Sequence, residues 1–192
     1  AFAYCKGLKK IVFPSNTSFL GGSVFLSCTS LKEITLPGSL ASIPEHCFES
    51  CFSLSKAVRE KGMTQIESSA FKKCYDLKSI SLPDGLISIG QSAFEKCNSL
   101  SDFSFPSTLE EIDEDAFSYC SSLTRIELPS SLTFLGTGAF TGTIRVTERK
   151  VEEENSVYYS YGNTILEKES KKVVSGCKAS SLPSDTLIIG ES

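Results

Sequence analysis

Apolar residues return along this chain at one fixed interval. Phe2, Phe25, Phe48, Phe71, Phe94, Phe117 and Phe140 stand 23 residues apart. Three residues after each of the first six comes Cys5, Cys28, Cys51, Cys74, Cys97 or Cys120, and three further on comes Leu8, Leu31, Leu54, Leu77, Leu100 or Leu123. An apolar residue follows (Ile11, Ile34, Ile80, Phe103, Ile126), then Phe13, Leu36, Leu82, Phe105 or Leu128, with Pro14, Pro37, Pro83, Pro106 or Pro129 directly after. A second apolar pair closes each unit, as Leu40/Ile43, Leu86/Ile89, Leu109/Ile112 and Leu132/Leu135. The alternation in L-x-x-I-x-L predicts a short strand with Ile and Leu inward. Proline ends it, because it cannot donate to a ladder. The second pair predicts another extended segment, and "SAFEKC" and "DAFSYC" predict one helical turn capped by Ser or Asp.

A period in the twenties built on L-x-x-I-x-L is the pattern of a leucine-rich repeat. Each unit offers about six apolar side chains, worth roughly 2 kcal/mol apiece when buried. Ordering its residues costs about 1–2 kcal/mol each, so one unit cannot fold alone. Stacking turns every landmark into a column and joins the units into one core. The expected architecture is a right-handed α/β-type solenoid, mostly short β-strands with short helical turns, forming a single domain over residues 1–192.

The pattern breaks twice. "SLSKAVREKGM" places Ala57, Arg59 and Glu60 where Ile, Leu and Pro are expected, although Cys51 and Cys74 keep their spacing. A one-residue slip would turn Val58 inward and Arg59 outward; Arg59 is then either a binding residue or simple drift. After Phe140 the period is read as failing, so residues 1–142 form the regular array and 143–192 an irregular coil. Ile144 and Val146 are expected in a strand, followed by the exposed acidic run Glu152-Glu153-Glu154. Ile165-Leu166 should then pair with Val173-Val174 in a hairpin across Lys168-Glu169-Ser170. "LPSDTLIIG" begins a further repeat, and the apolar columns left open at both ends suggest a segment of a longer protein.

"CYDLKSISLPDGLISIGQSAFEKC" and "CNSLSDFSFPSTLEEIDEDAFSYC" resemble the BspA-like, or Treponema pallidum-type, leucine-rich repeat, C-x-x-L-x-x-I-x-L-P-x-x-L-x-x-I-G-x-x-A-F-x-x. The resemblance covers residues 1 to about 142. It implies a cell-surface or secreted protein-binding module, with adhesion to host proteins or cells as its role. It also implies that a hairpin can be inserted between coils. An intracellular scaffold of the same fold, for protein–protein interaction, is the alternative.

Charge and chemistry narrow the function further. The formal net charge of −4 and the lack of a basic stripe disfavour a nucleic-acid partner. No apolar run approaches the ~18 residues of a membrane span. One histidine beside inward thiols gives no credible Ser-His-Asp or Cys-His arrangement, so no enzyme, cofactor or metal is expected. His46, Cys47 and Cys51 could suggest zinc, but Cys47 shares a column with Ala1, Ala70, Ala93 and Ala116 and should be core. Glu110-Glu111-Asp113-Glu114-Asp115 lacks the Gly-containing spacing of a calcium loop and reads as a solvated edge. Gly21-Gly22 is a turn, since no Lys-Ser/Thr follows. Asn16-Thr17-Ser18 is a glycosylation sequon, usable only in a eukaryotic secretory pathway. Parallel stacking at ~4.8 Å would hold the column cysteines too far apart at Cβ for easy disulfides, so reduced core thiols are expected. Cys177 has no column and is the expected exposed thiol.

The positions free to bind are the outward residues of each strand on a concave face. They are Lys10/Val12, Glu33/Thr35, Lys56/Val58, Ser79/Ser81, Asp102/Ser104 and Arg125/Glu127. Neighbouring rows give a repeat protein a broad ordered surface for a protein ligand. Tyr158, Tyr159 and Tyr161 form an alternative patch, being the dense aromatic group outside the columns; covering the hairpin is their other reading.

Overall fold

The computed structural model describes residues 2–59, 62–101, 103–176, 180–184 and 188–189. The strands of the repeats are β1 (Glu33–Leu36), β2 (Ser42–Ile43), β3 (Lys56–Arg59), β4 (Gln65–Ile66), β5 (Ser79–Ile80), β6 (Ser88–Ile89), β7 (Glu111–Ile112), β8 (Arg125–Leu128) and β9 (Phe134–Leu135). After them come β10 (Glu148–Val151), β11 (Tyr158–Tyr161), β12 (Thr164–Glu167), β13 (Lys172–Ser175) and β14 (Ile188–Ile189). Two kinds of parallel ladder run across the coils. The first strand of each coil builds an outer sheet in two pieces, β1-β3-β5 and β8-β10, and the second strand builds β2-β4-β6-β7-β9. Every repeat pairing keeps the 23-residue offset, as in Glu33 with Lys56, Lys56 with Ser79 and Arg125 with Glu148.

The core is the set of columns. Phe25, Phe48, Phe71, Phe94 and Phe117 are fully buried, and their rings stack at 5.1–5.6 Å within 16° of parallel from Phe2 through Phe140. Such spacing falls within the range of favourable offset aromatic stacks. The coil between the two outer pieces carries Phe103 and Phe105 at its inward positions. Their half-buried rings meet Phe117 edge-on at 4.7 and 5.4 Å, and residues 103–108 form no strand. Coils approach closely at the glycine after the second strand. A Cβ on Gly136 would lie 2.3 Å from the Glu114 backbone nitrogen, so only glycine fits there.

The expected helical turns are absent: among the described residues no helix occurs. Each A-F unit instead bends at two left-handed residues. One column is Ser23, His46, Ser69, Ser92, Asp115 and Gly138; the other is Tyr4, Ser27, Ser50, Lys73, Lys96, Tyr119 and Gly142, all with φ between 50° and 75°. Two such residues four apart exclude an α-helical turn. Within each turn alternate N–H groups close local bonds, as from Leu26 to Ser23 O and Cys28 to Phe25 O at 3.1 Å, and the others reach the next coil. Phe25 N–H donates to Cys47 O at 3.0 Å, while Phe48, Phe71, Phe94 and Phe117 donate to Ala70, Ala93, Ala116 and Ala139 at 2.8 Å.

Two further expectations are corrected. Val58 does not slip inward: it pairs with Thr35 and stays half-buried on the outer row, while Ala57 pairs with Ile34 and is buried. Bonds from Ser55 N–H to Lys32 O (2.8 Å) and from Lys78 N–H to Ser55 O (3.1 Å) hold the register on both sides. A slip would break them to replace one small side chain, and Met63 already fills the next Leu column. Nor does the interval stop near residue 142. β10 pairs with β8 at the same offset, placing Thr143, Val146, Arg149, Val151, Asn155 and Tyr158 in the columns of Cys120, Leu123, Ile126, Leu128, Leu132 and Leu135. The strand here is Glu148–Val151; Ile144 lies in the preceding turn and is 80% exposed. Beyond it, β11, β12 and β13 are antiparallel, with Leu166 opposite Val173 and a register shift beside Ile165.

Candidate functional site

Alternation along the first strand of each coil sends Ile and Leu into the core and its other side chains outward, which builds an exposed ladder. Lys10, Val12, Glu33, Thr35, Lys56, Ser81, Ser104, Arg125 and Glu127 are exposed on it, and Val58 and Ser79 are half-buried. Asp102 lies outside the described residues. Because the offset persists, Glu148 and Lys150 form one more row, which the sequence reading missed by ending the array too early. Adding 23 to Arg125 and Glu127 would have found them.

The last two rows are an ion-pair cluster. Arg125 Nη2 lies 2.7 Å from Glu127 Oε2, Arg125 Nε 3.1 Å from Glu148 Oε2, and Lys150 Nζ 3.0 Å from Glu148 Oε1. The Lys150 hydrogen bond holds the Glu148 carboxyl below its usual range. Two cations and two carboxylates neutralise one another there, leaving the charges of Lys10, Glu33 and Lys56 in earlier rows.

The tyrosines divide. Tyr158 is buried, and its hydroxyl oxygen accepts a bond from Leu135 N–H at 2.9 Å; burial raises its pKa. It is a core residue of the array, not part of an exposed patch. Tyr159 is half-buried under the ammonium of Lys171, 5.2 Å from the ring centroid, and Tyr161 is exposed. Between the last ladder rows and the hairpin lies a hollow of about 520 Å³ lined by Glu127, Lys150, Glu152, Glu153, Tyr159 and Ser160 among others. The ladder and the tyrosine hairpin therefore meet at one place.

The thiols have a structural task. Cys51, Cys74, Cys97 and Cys120 are buried, and each Sγ donates to the carbonyl of Phe25, Phe48, Phe71 or Phe94 at 3.1–3.2 Å. Burial pushes the Cys51 thiol up to about 12 and raises Cys74 and Cys97 well above the usual thiol range. Cys5 is exposed, Cys47 is buried among the columns, and Cys177 lies outside the described residues. His46 points away from these sulfurs: Nδ1 meets Glu49 Oε2 at 2.6 Å and Nε2 meets Glu45 Oε1 at 2.9 Å. Among the described residues no three His, Cys, Asp or Glu side chains group as metal ligands, and no helix is long and apolar enough to cross a membrane.

Short parallel strands at a constant offset, with Phe, Cys and Leu columns, define a leucine-rich repeat solenoid, a fold that generally serves as a non-catalytic scaffold for binding other proteins. The BspA type Leucine rich repeat region matches residues 1–120 and 42–164 in six copies, and the chain belongs to that family. It is similar to a leucine-rich repeat protein from Bacteroides ovatus, at 34% identity and a TM-score of 0.72 over 80% of this chain and 40% of that one. A leucine rich cell surface protein from Faecalibacterium prausnitzii matches at 27% identity and a TM-score of 0.70, over 80% of this chain and 42% of that one. The T. pallidum leucine rich repeat protein matches at 33% identity and a TM-score of 0.60, over 62% of this chain and 57% of that one. The chain thus spans less than two thirds of each. No curated protein matches it.

Proposed function

We propose that this chain is the protein-binding part of a cell-surface or secreted protein that adheres to host proteins or cells, and that its ligand lies across the outer ladder. The observation that carries the reading is the recurrence of outward rows at one 23-residue interval. Rows run from Glu33/Thr35 to Ser79, resume after a strandless coil at Arg125/Glu127 and Glu148/Lys150, and end at a hollow against the hairpin. A specific interface needs about 800 Å² per partner, which several rows supply and one does not. The surface role is supported by the description of the F. prausnitzii protein as a cell surface protein.

Reversing Lys10, Lys56 and Arg125 together to Glu should weaken capture of immobilised extracellular-matrix proteins while leaving the melting temperature unchanged. Wild-type binding should fall as salt rises, because exposed charges mainly steer encounter. Changing Tyr159 and Tyr161 to Ser should have the smaller effect. Full capture by the charge-reversed variant would sink the ladder reading, and loss confined to the tyrosine variant would move the site to the hairpin.

A further inference from the structure

The second strands build the other sheet of the array, β2-β4-β6-β7-β9, which crosses five coils without a break. Ile43, Ile66, Ile89, Ile112 and Leu135 point from it into the core. Its outward residues stand side by side: Ser88 pairs with Glu111, and Glu111 with Phe134. Glu110 N–H donates to Ile87 O at 2.9 Å, and Thr133 N–H to Glu110 O at 2.8 Å, which sets a second row beside the first. Glu110 and Glu111 are exposed. Exposed apolar side chains flank them on the two neighbouring coils, Ile87 at 39% and Phe134 at 50%.

Charge is segregated onto this face. The second-strand stretches, residues 38–46, 61–69, 84–92, 107–115 and 130–138, hold eight carboxylates against one lysine, Lys61, which lies outside the described residues. With His46 neutral they carry −7, on a chain whose net charge is −4. Five of the eight fall between Glu110 and Asp115. The surroundings do not cancel them. The turn edge that follows carries Glu49, Lys72, Lys73, Glu95 and Lys96, and Lys72 and Lys96 hold Glu95 at 2.6 and 2.9 Å. At the later end the hairpin turn adds Lys168, Glu169 and Lys171, with Lys168 donating to Asn155 O and Lys171 over Tyr159, while Glu153 and Glu154 extend the acidic stretch. Arg125, Glu127, Glu148 and Lys150 neutralise one another on the outer ladder. Among the described residues no lysine or arginine pairs with Glu110 or Glu111. Acidity alone serves hydration, but an aromatic side chain set beside charged groups is the composition of an interface.

We propose that the second sheet, around Ile87, Glu110, Glu111 and Phe134, is a docking surface for a basic polypeptide segment rich in arginine. Charge complementarity gives the sign of the partner, and the neighbouring residue types give its chemistry. A guanidinium presents a planar fork that matches a carboxylate and also lies flat on an aromatic ring, whereas an ammonium is a compact point charge. Glu111 and Phe134 are cross-strand neighbours, so one arginine reaches both. Further arginines meet Glu110 and Glu114, and an apolar partner residue covers Ile87. This surface lies on a different sheet from the outer ladder and does not depend on it.

The test uses the whole chain and three labelled probes: an alternating arginine–glycine peptide, a lysine–glycine peptide of the same length, and spermine. The arginine peptide should bind best, and more weakly as salt rises. Glu110→Gln with Glu111→Gln should weaken it by about fivefold or more and leave the melting temperature unchanged, since both side chains are exposed. Glu33→Gln with Asp76→Asn alters the net charge equally on other faces and should leave arginine-peptide binding as in wild type. Phe134→Ser should bring the arginine peptide down to the level of the lysine peptide. The proposal is overturned if the Glu110/Glu111 variant binds as wild type, if the Glu33/Asp76 variant loses as much, if the lysine peptide or spermine binds as well as the arginine peptide, or if no probe binds.

Discussion

The coils up to Leu135 and the coil after them share one register but hold it by different means. In the earlier coils the inward positions are Phe, Leu, Ile and Cys, and thiols tie successive coils through backbone carbonyls. In the next coil Thr143, Arg149, Asn155 and Tyr158 take the same positions, buried and polar. Asn155 Nδ2 donates to Pro129 O and Leu132 O at 2.9 and 2.8 Å, and its Oδ1 accepts from Val157 N–H and Tyr158 N–H. Arg149 donates to Thr143 Oγ1 at 2.9 Å and to Ser175 Oγ of β13 at 3.2 Å, and Lys168 donates to Asn155 O. The comparison teaches that a repeat can change from an oily to a hydrogen-bonded core without changing its period. It does so where a hairpin must be attached, because directional bonds reach beyond the column to groups that apolar contact would not select.

The largest effect should come from cutting the apolar column. Phe94→Ala opens a cavity in the middle of the stack and should lower stability by about 3–5 kcal/mol in urea unfolding. All coils should weaken together, since each rests on its neighbours. The next effect lies in the polar coil. Asn155→Ala takes the side-chain partner from Leu132 O and from the Val157 and Tyr158 N–H groups, while Pro129 O keeps Leu132 N–H, and should cost about 1–3 kcal/mol in all. Hydrogen exchange should show lost protection in β11 and β12 with little change in β4 or β6. Uniform loss across the array would erase the distinction between the two regions.

A third experiment probes the thiols of the earlier coils. Their folded pKa values are raised, so the native state holds those protons more tightly than the unfolded chain does. The associated stability is therefore complete below the usual thiol pKa near 9 and is lost as pH climbs toward about 12, the value for Cys51. Thermal unfolding should show a falling melting temperature across that window, shallower in Cys74→Ala/Cys97→Ala. At neutral pH a thiol reagent should modify Cys5 first among the described cysteines, leaving the column thiols slow. The smallest effect belongs to the surface cluster. Glu148→Gln breaks exposed pairs with Arg125 and Lys150 and should leave the melting temperature unchanged, because screened surface pairs contribute little.

What the sequence made legible was whatever repeats as an apolar identity: the columns, the short strands, the inward cysteines and the outward ladder. Two features escaped for definite reasons. The left-handed columns carry mostly Ser, Lys and Tyr, which give no local sign of positive φ; His46 and Asp115 are types that tolerate it, and glycine stands there only at Gly138 and Gly142. The coil after Phe140 escaped because Arg149 and Asn155 do not match an apolar template, although their spacing from Ile126 and Leu132 was open to simple addition. Tyr158 was placed with its neighbours by composition, when its position in the Leu135 column marks it as inward. The turn-edge aromatics were equally visible as letters. Only the structure shows Phe52 lying on Tyr75 and Lys96 over Tyr119.

The forward hydrogen bonds of the turn edge join into something larger than a set of coil contacts. Phe2 N–H donates to Val24 O, and the same peptide unit donates onward through Phe25 N–H to Cys47 O, then through Phe48, Phe71, Phe94 and Phe117. Two parallel chains run beside it, one through His46, Ser69, Ser92 and Asp115 and the other through Ser50, Lys73, Lys96 and Tyr119. Amides linked head to tail in this way polarise one another and add their dipoles, about 3.5 D each. A helix builds its macrodipole along the chain; these turns build three runs across it, with the positive pole toward the later coils, while the run through the N–H groups of Gly136, Asp113, Gly90 and Glu67 points the other way. Neighbouring stretches of each coil are thus polarised oppositely, and each further coil in register would lengthen both runs.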